Sequence, residues 1–327
     1  MSGNPEINVV KSPNDTVQSS AQNNISSNHL STSFIPANLQ PSCDIDRSTL
    51  SISESDYVAE GGYGRVYKAK WNGKLVAAKF ISRRGPEQLK DFARELRALR
   101  KSKDCLEHII EFFGLSKEPV TGDYILVMQY ADSGTLKNYL ENHTEPNTRE
   151  LLDQRIDLCK DILKGLVFLH GERIIHRDLH SNNVLIHLGK ALLADFGLSK
   201  SVLSQESTIV RGMHPYVDPE VLNYFKYPPK ESSDIYSFGV LMWEIYTCIP
   251  SFSGRRDRDL VNDICNGVRE KRKVGMPTDY VNLYEKCWNK KPLSRPTAKD
   301  ALEDLETLKL KPTITEDDLQ SIYGMIS

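Results

Sequence analysis

The stretch His176-Arg177-Asp178-Leu179-His180-Ser181-Asn182-Asn183 leads into Val184-Leu185-Ile186 and, further on, Asp195-Phe196-Gly197. It offers a carboxylate and an amide five residues apart, a short apolar hairpin, and a second carboxylate before a glycine. Such an arrangement can converge on one metal-phosphate site. Phosphoryl transfer asks little covalent chemistry of a protein; it needs a positioned hydroxyl, neutralised oxygens and in-line geometry. Asp178 can orient an attacking hydroxyl and accept its proton. Asn183 and Asp195 supply the hard oxygens that suit Mg2+.

These motifs resemble the catalytic loop and metal-binding turn of the protein kinases. The resemblance covers roughly residues 52 to 310, with the motifs in the family's order. It implies an α+β, bilobal kinase fold: an N-lobe (52–131) made of a small antiparallel sheet with one helix, and a larger, mainly helical C-lobe (132–310). It also implies ATP and Mg2+ as cofactors and proteins as substrates.

The segment Tyr57-Val58-Ala59-Glu60-Gly61-Gly62-Tyr63-Gly64-Arg65-Val66-Tyr67 reads as strand, glycine-rich turn, strand. Glycines let backbone N–H groups approach phosphates closely. Against the kinase pattern G-x-G-x-x-G-x-V, Ala59 stands at the first glycine, while Gly61, Gly64 and Val66 match. Asn72-Gly73 then joins Val66–Trp71 to Lys74–Ile81, the strongest short-range hairpin signal. On the second strand Ala77 and Lys79 share a face, because side chains alternate with period two. A lone strand lysine is ordinarily solvated. Here Val76-Ala77-Ala78-Lys79 is similar to the kinase strand V-A-I-K, with Ala77 against adenine and Lys79 near the phosphates.

A helix is predicted over residues 87–101, with Leu89, Phe92, Leu96 and Leu99 as its apolar stripe. Glu95 borders that stripe and is the expected partner of Lys79. Ile109–Leu115 and Tyr124–Gln129 read as further strands, followed by the link Gln129-Tyr130-Ala131-Asp132-Ser133-Gly134. By resemblance this is the hinge, with Met128 as gatekeeper and the backbone of Gln129 and Ala131 facing adenine; Val58 and Leu185 complete the expected nucleotide contacts. A helix from about Asn147 to His170 buries Ile156, Cys159, Leu163 and Leu166.

The segment opened by Asp195 closes at Val217-Asp218-Pro219-Glu220, where kinases read A-P-E. Between them lie Ser199, Ser201, Ser204, Ser207 and Thr208; a phosphate there would meet Arg177 and Lys200, so activation by an upstream kinase is expected. Ser232 to Ile245 reads as an apolar helix at the centre of the C-lobe. By resemblance Asp234 holds the catalytic-loop backbone and Arg295 pairs with Glu220.

Within the kinases the chain is most similar to the tyrosine-kinase-like group, which mostly phosphorylates Ser and Thr. Tyrosine kinases place an Arg two or four residues after the catalytic Asp, where this chain has His180 and Asn182. Gly212-Met213-His214-Pro215-Tyr216 keeps the Gly and Tyr of the Ser/Thr pattern G-T-x-x-Y. His180 replaces the usual Lys, so its charge on a phosphate would be partial near neutral pH, and Met213 replaces the Thr that would bridge to the catalytic Asp. The alternatives are a pseudokinase scaffold, a dual-specificity or tyrosine kinase, and a small-molecule kinase of the same fold. Lys79, Asp178, Asn183 and Asp195 are all present, which favours an enzyme, and the long segment from Asp195 to Glu220 favours a protein substrate.

The bulk properties agree. A net charge of −2 with 39% hydrophobic residues offers no broad basic field for nucleic acid or membrane. No apolar run is long enough to span a bilayer, so a cytoplasmic chain is expected. The six cysteines are scattered without a C-x-x-C pair, and His176 and His180 have zinc-like spacing but no third ligand motif. Residues 1–48, rich in Ser, Asn, Gln and Pro, are expected to form a mobile tail, with Ser12-Pro13 as a possible modification point. Residues 311–327 form a short acidic tail.

Overall fold

Asn72 and Gly73 both adopt positive φ, 49° and 81°, the left-handed pair of a two-residue hairpin turn. The turn sets the register of a five-stranded antiparallel sheet in the computed structural model, which describes residues 44–61, 64–81, 92, 96, 99–101, 105, 107–144, 149–195, 214–223, 228–255 and 257–308. Its strands are β1 (Leu50–Gly61), β2 (Gly64–Trp71), β3 (Lys74–Ile81), β4 (Phe112–Lys117) and β5 (Tyr124–Gln129), in the order β1-β2-β3-β5-β4.

Alternation sorts the sheet's side chains onto two faces. Val76, Ala78, Ile125 and Val127 join Ala69, Leu50 and Ile45 in a small core on one side. On the other, the pairings Ala59↔Val66, Val66↔Lys79 and Lys79↔Leu126 form one row, and Lys68↔Ala77↔Met128 the next. Directly opposed residues share a face. Leu126 and Met128 on this second face belong to the main core, together with Phe92, Leu96 and Leu99 of the predicted helix. Leu89 and Glu95 lie outside the described residues.

Two boundaries differ from expectation. The fold takes in residues that composition assigns to the tail: the Ile45 N–H donates to Leu115 C=O at 3.0 Å, its side chain is buried, and Arg47 pairs with Glu118 at 2.9 Å. Gly114 makes the room, since a Cβ there would meet the Ile45 side chain at 2.9 Å. In addition, Ile109 is not part of β4. It bridges in parallel to Leu193, with Ile110 N–H on Leu193 C=O and Leu193 N–H on His108 C=O, so this apolar stretch ties the two lobes rather than extending the sheet.

Past the link the chain is mainly helical: α1 (Leu136–Asn142), α2 (Arg149–Gly171), α3 (Pro219–Asn223), α4 (Glu231–Thr247), α5 (Asp257–Cys265), α6 (Thr278–Cys287) and α7 (Ala298–Glu306). The hairpin β6 (Val184–His187) and β7 (Lys190–Leu193) interrupts them, turning through Leu188 and Gly189 at positive φ. Its turn is capped by Asp132, whose carboxylate accepts the Leu188 N–H. Helix α4 is buried continuously from Ser233 to Tyr246, as an apolar-all-round helix should be. Gly239 lets it pack close: a Cβ there would lie 2.7 Å from the Trp288 nitrogen.

Candidate active site

The catalytic loop is held from below by one acid. Asp234, 1% exposed in the first turn of α4, accepts the N–H groups of His176 and Arg177 at 2.9 and 2.8 Å, and the His170 imidazole lies 2.9 Å away. These bonds fix an unfavourable backbone, since Arg177 has φ 70°. A left-handed non-glycine residue costs about 1–2 kcal/mol, and a hydrogen bond to a charged acceptor contributes about 1.5–3 kcal/mol. Two such bonds outweigh the strain. The resemblance anticipates the Asp234 contact; nothing in the sequence points to His170.

Above this support the four expected residues meet. The Asn183 side-chain amide donates to Asp178 C=O at 2.8 Å and to Asp178 Oδ2 at 3.1 Å. This leaves Asn183 Oδ1 as the oxygen free to ligate a cation. The Ala194 N–H donates to Asn183 C=O at 2.9 Å, which ties the loop to the turn carrying Asp195. Asp195 stands at φ 58°, and the buried Lys79 ammonium donates to its carboxylate. Phe196, Gly197 and the hydroxyl residues from Ser199 to Thr208, with Lys200, lie outside the described residues, as do Gly212 and Met213.

Asp178 is 8% exposed. Burial alone would raise its carboxyl, but the hydrogen bonds offered by His180 and the Asn183 amide prevail and hold it below the ordinary range. His176 is fully buried, which pushes its imidazole below the ordinary value despite the acids around it. His180 is buried beside Asp178. Its Nε2 lies 3.5 Å from Asp178 Oδ1, while its Nδ1 accepts the Asn182 N–H at 3.2 Å.

The nucleotide-facing set lies where the sheet register puts it. Ala59, Val66, Ala77, Lys79 and Met128 share one face of the sheet, with Met128 buried directly opposite Ala77. Gly61 pairs with Gly64 and closes the turn; Gly62 and Tyr63 lie outside the described residues. Gly64 has φ 139°, and a Cβ on it would sit 1.9 Å from Phe80 O, so only glycine fits. Val58 departs from the regular alternation: it falls at the irregularity between Tyr57 and Ala59 and is 49% exposed. At the hinge the Gln129 N–H is engaged by Glu111 C=O at 2.8 Å, Ala131 is half-buried, and Leu185 is half-buried on β6. Acid-and-amide oxygens at Asn183 and Asp195, a cation at Lys79 and a glycine backbone at Gly64 form a donor set that fits a magnesium-bound nucleotide.

Arg295 does not pair with Glu220 as the resemblance suggests. Its guanidinium forks onto Asp218, Nη1 to Oδ2 at 2.7 Å and Nη2 to Oδ1 at 2.9 Å, with both side chains buried. Asp218, standing where kinases have Ala, brings its carboxylate to the guanidinium directly and also accepts from Ser233 Oγ and the Glu220 N–H. A second acid escaped the sequence reading. Glu244, buried in α4, accepts the Tyr216 hydroxyl at 2.6 Å and both the N–H and the hydroxyl of Ser251 at 2.8 Å. Burial raises the Glu244 carboxyl, and burial together with Glu244 raises the Tyr216 phenol well above its ordinary range. The available signal was a lone acid inside the apolar run Phe238–Tyr246.

Comparison with known proteins agrees with this geometry. The protein tyrosine and serine/threonine kinase family matches residues 52–305. The tyrosine-protein kinase Btk of Drosophila melanogaster is 29% identical over 257 residues, covering 76% of this chain and 31% of that protein. The probable serine/threonine-protein kinase drkB of Dictyostelium discoideum is 30% identical over 275 residues, 82% of this chain and 38% of that one. The dual specificity protein kinase zakA of the same organism is 30% identical over 317 residues, 88% and 39% respectively. The chain thus spans between 31% and 39% of the length of these relatives. A match over most of the chain, on a sheet-and-helix fold that brings Lys79 to Asp195 and Asn183 to Asp178, makes this chain a member of the protein tyrosine and serine/threonine kinase family.

Proposed function

We propose that the chain is an ATP- and Mg2+-dependent protein kinase that phosphorylates Ser and Thr hydroxyls. The observation that carries the reading is the convergence of Lys79 on Asp195 and of Asn183 on Asp178. In this reading Lys79 orients the nucleotide phosphates and Asp178 orients the substrate hydroxyl and takes its proton. Asn183 and Asp195 would hold Mg2+, which when bound neutralises charge on the phosphate oxygens. Ala59, Val66, Ala77, Met128 and Leu185, with Val58 at the mouth, enclose the adenine, and the backbone of Gln129 and Ala131 addresses its edge. Glu95 is the proposed partner of Lys79.

The Ser/Thr preference is supported by the Ser/Thr-type Gly212 and Tyr216 and by the lack of an Arg at positions 180 and 182. The named relatives include tyrosine, serine/threonine and dual specificity kinases. Phosphorylation at Ser204, Ser207 or Thr208 by an upstream kinase, or by the chain itself, is the proposed switch. The setting is the cytoplasm, where ATP is supplied; no helix among the described residues is long and apolar enough to cross a membrane. The test offers matched Ser, Thr and Tyr peptides with labelled ATP and identifies the phosphoamino acid. Label on Ser or Thr is expected; label on Tyr alone would overturn the specificity.

A further inference from the structure

We propose that a pocket beside the catalytic loop receives an apolar side chain of the protein substrate, two positions from the phosphorylated Ser or Thr. The inference rests on the kinase reading above and adds the kind of sequence the site selects. The pocket, about 110 Å³, lies between α1, the catalytic loop, the Pro215-Tyr216 turn and the C-terminal end of α4. A single water needs about 10–15 Å³, so the space takes a branched aliphatic side chain. Its walls are mostly carbon, from Leu140, Pro215, Cys248, Ile249 and Pro250. Ile249, 41% exposed, stands at the mouth.

Two observations set the chemistry of the occupant. Glu244 is the buried acid of the pocket, and both its oxygens are engaged: Oε2 accepts the Tyr216 hydroxyl at 2.6 Å, and Oε1 accepts the N–H and the hydroxyl of Ser251 at 2.8 Å. The acid holds the protein's own donors instead of standing open to a ligand's cation. At the exposed edge Lys137 Nζ lies 4.0 Å from Glu141 Oε1, one helical turn on, so their charges offset. What remains for a ligand is carbon surface, and its burial is the source of affinity.

The position follows from the catalytic acid. His180 lines the pocket and its ring neighbours both Asp178 and Tyr216, with Nε2 3.5 Å from Asp178 Oδ1 and its centroid 5.8 Å from that of Tyr216. The pocket is thus continuous with the place where the substrate hydroxyl must sit. In an extended segment side chains alternate, and residues two apart share a face at a spacing of about 7 Å. A hydroxyl aimed at Asp178 therefore brings the side chain two positions away, on one side, to the pocket.

The test is steady-state kinetics of the full chain with MgATP on Ser/Thr peptides in which each position flanking the hydroxyl carries Leu, Ala, Arg or Glu in turn. At one of the two positions two residues away, kcat/KM should be about tenfold or more higher for Leu than for Ala, Arg or Glu. Ile249→Ala should narrow the Leu preference, and Ile249→Glu, which sets a carboxylate at the exposed mouth, should turn it toward Arg. Each ratio is read within one protein, so a general loss of activity does not imitate the effect. Peptide phosphorylation by wild type with no Leu preference at those positions, a preference for Arg there, or a Leu preference that survives both substitutions would overturn the pocket and leave the kinase reading standing. A folded wild-type chain that labels neither the peptides nor itself, even after treatment with an upstream kinase, would overturn the kinase reading and the substrate pocket with it.

Discussion

Asp218 and Arg295 show what a single departure from a family pattern does. The pair is desolvated on both sides and bidentate, and breaking a buried pair by removing one charge costs about 3–5 kcal/mol because the other charge is stranded. Asp218→Asn should lower the unfolding free energy by about that amount in urea titration, while Asp218→Ala combined with Arg295→Met should recover most of it. A single variant as stable as wild type would return the role to Glu220. Asp234 carries a different load. Asp234→Ala removes the acceptor of two N–H groups in a buried loop, at about 1–3 kcal/mol each. It should also release Arg177 from its positive φ, so transfer activity should fall further than the melting temperature suggests. Neither partnership is fully legible in sequence: which of two nearby acids reaches a distant guanidinium depends on how α3 docks, and spacing does not report that.

The elements were more legible than their contacts. Asn72-Gly73 announces a hairpin, and period-two alternation then assigns Ala77 and Lys79 to one face. The structure keeps that register across four strands, from Ala59 to Leu126. The all-round apolar pattern of α4 is likewise a sequence property. The end of β4 was not legible, because Ile109 is apolar whether it pairs with a sheet neighbour or with Leu193, and only the path of the chain decides. The irregularity at Val58 and the seat of Ile45 over Gly114 were hidden for the same reason. Two glycines test the close packing of elements. Gly64→Ala would force its Cβ into Phe80 O, so the return strand must shift, and KM for ATP should rise about tenfold or more with the loss of phosphate-loop geometry. Gly239→Ala should instead overpack α4 against Trp288 and cost about 1–3 kcal/mol in thermal unfolding, with KM for ATP unchanged.

For the whole molecule, the burial of His176 makes stability depend on pH. Its imidazole is held below the ordinary value of 6.5 by that burial, so the unfolded chain takes up a proton that the folded chain refuses. Stability from this residue is therefore complete above about pH 6.5 and declines as pH falls below it toward the folded value. His176→Phe should flatten the dependence of the melting temperature on pH between about 7 and 5; an unchanged slope would assign the dependence to other groups. The activation segment acts at the same scale. Replacing Ser204, Ser207 and Thr208 together with Ala should suppress activity, and full activity in that variant would remove the proposed switch.

The proposed function stands on Lys79, Asp178, Asn183 and Asp195 forming a working phosphotransfer site. It is tested most directly by label transfer from ATP with Mg2+ to the chain itself and to a basic protein substrate, beside Asp178→Asn. Transfer by wild type is expected, after treatment with an upstream kinase if the activation segment requires it. A loss of about a hundredfold or more is expected in the variant, with nucleotide binding retained. Equal labelling in the two proteins, or none in a folded, ATP-binding wild type after that treatment, would contradict it and leave a nucleotide-binding scaffold.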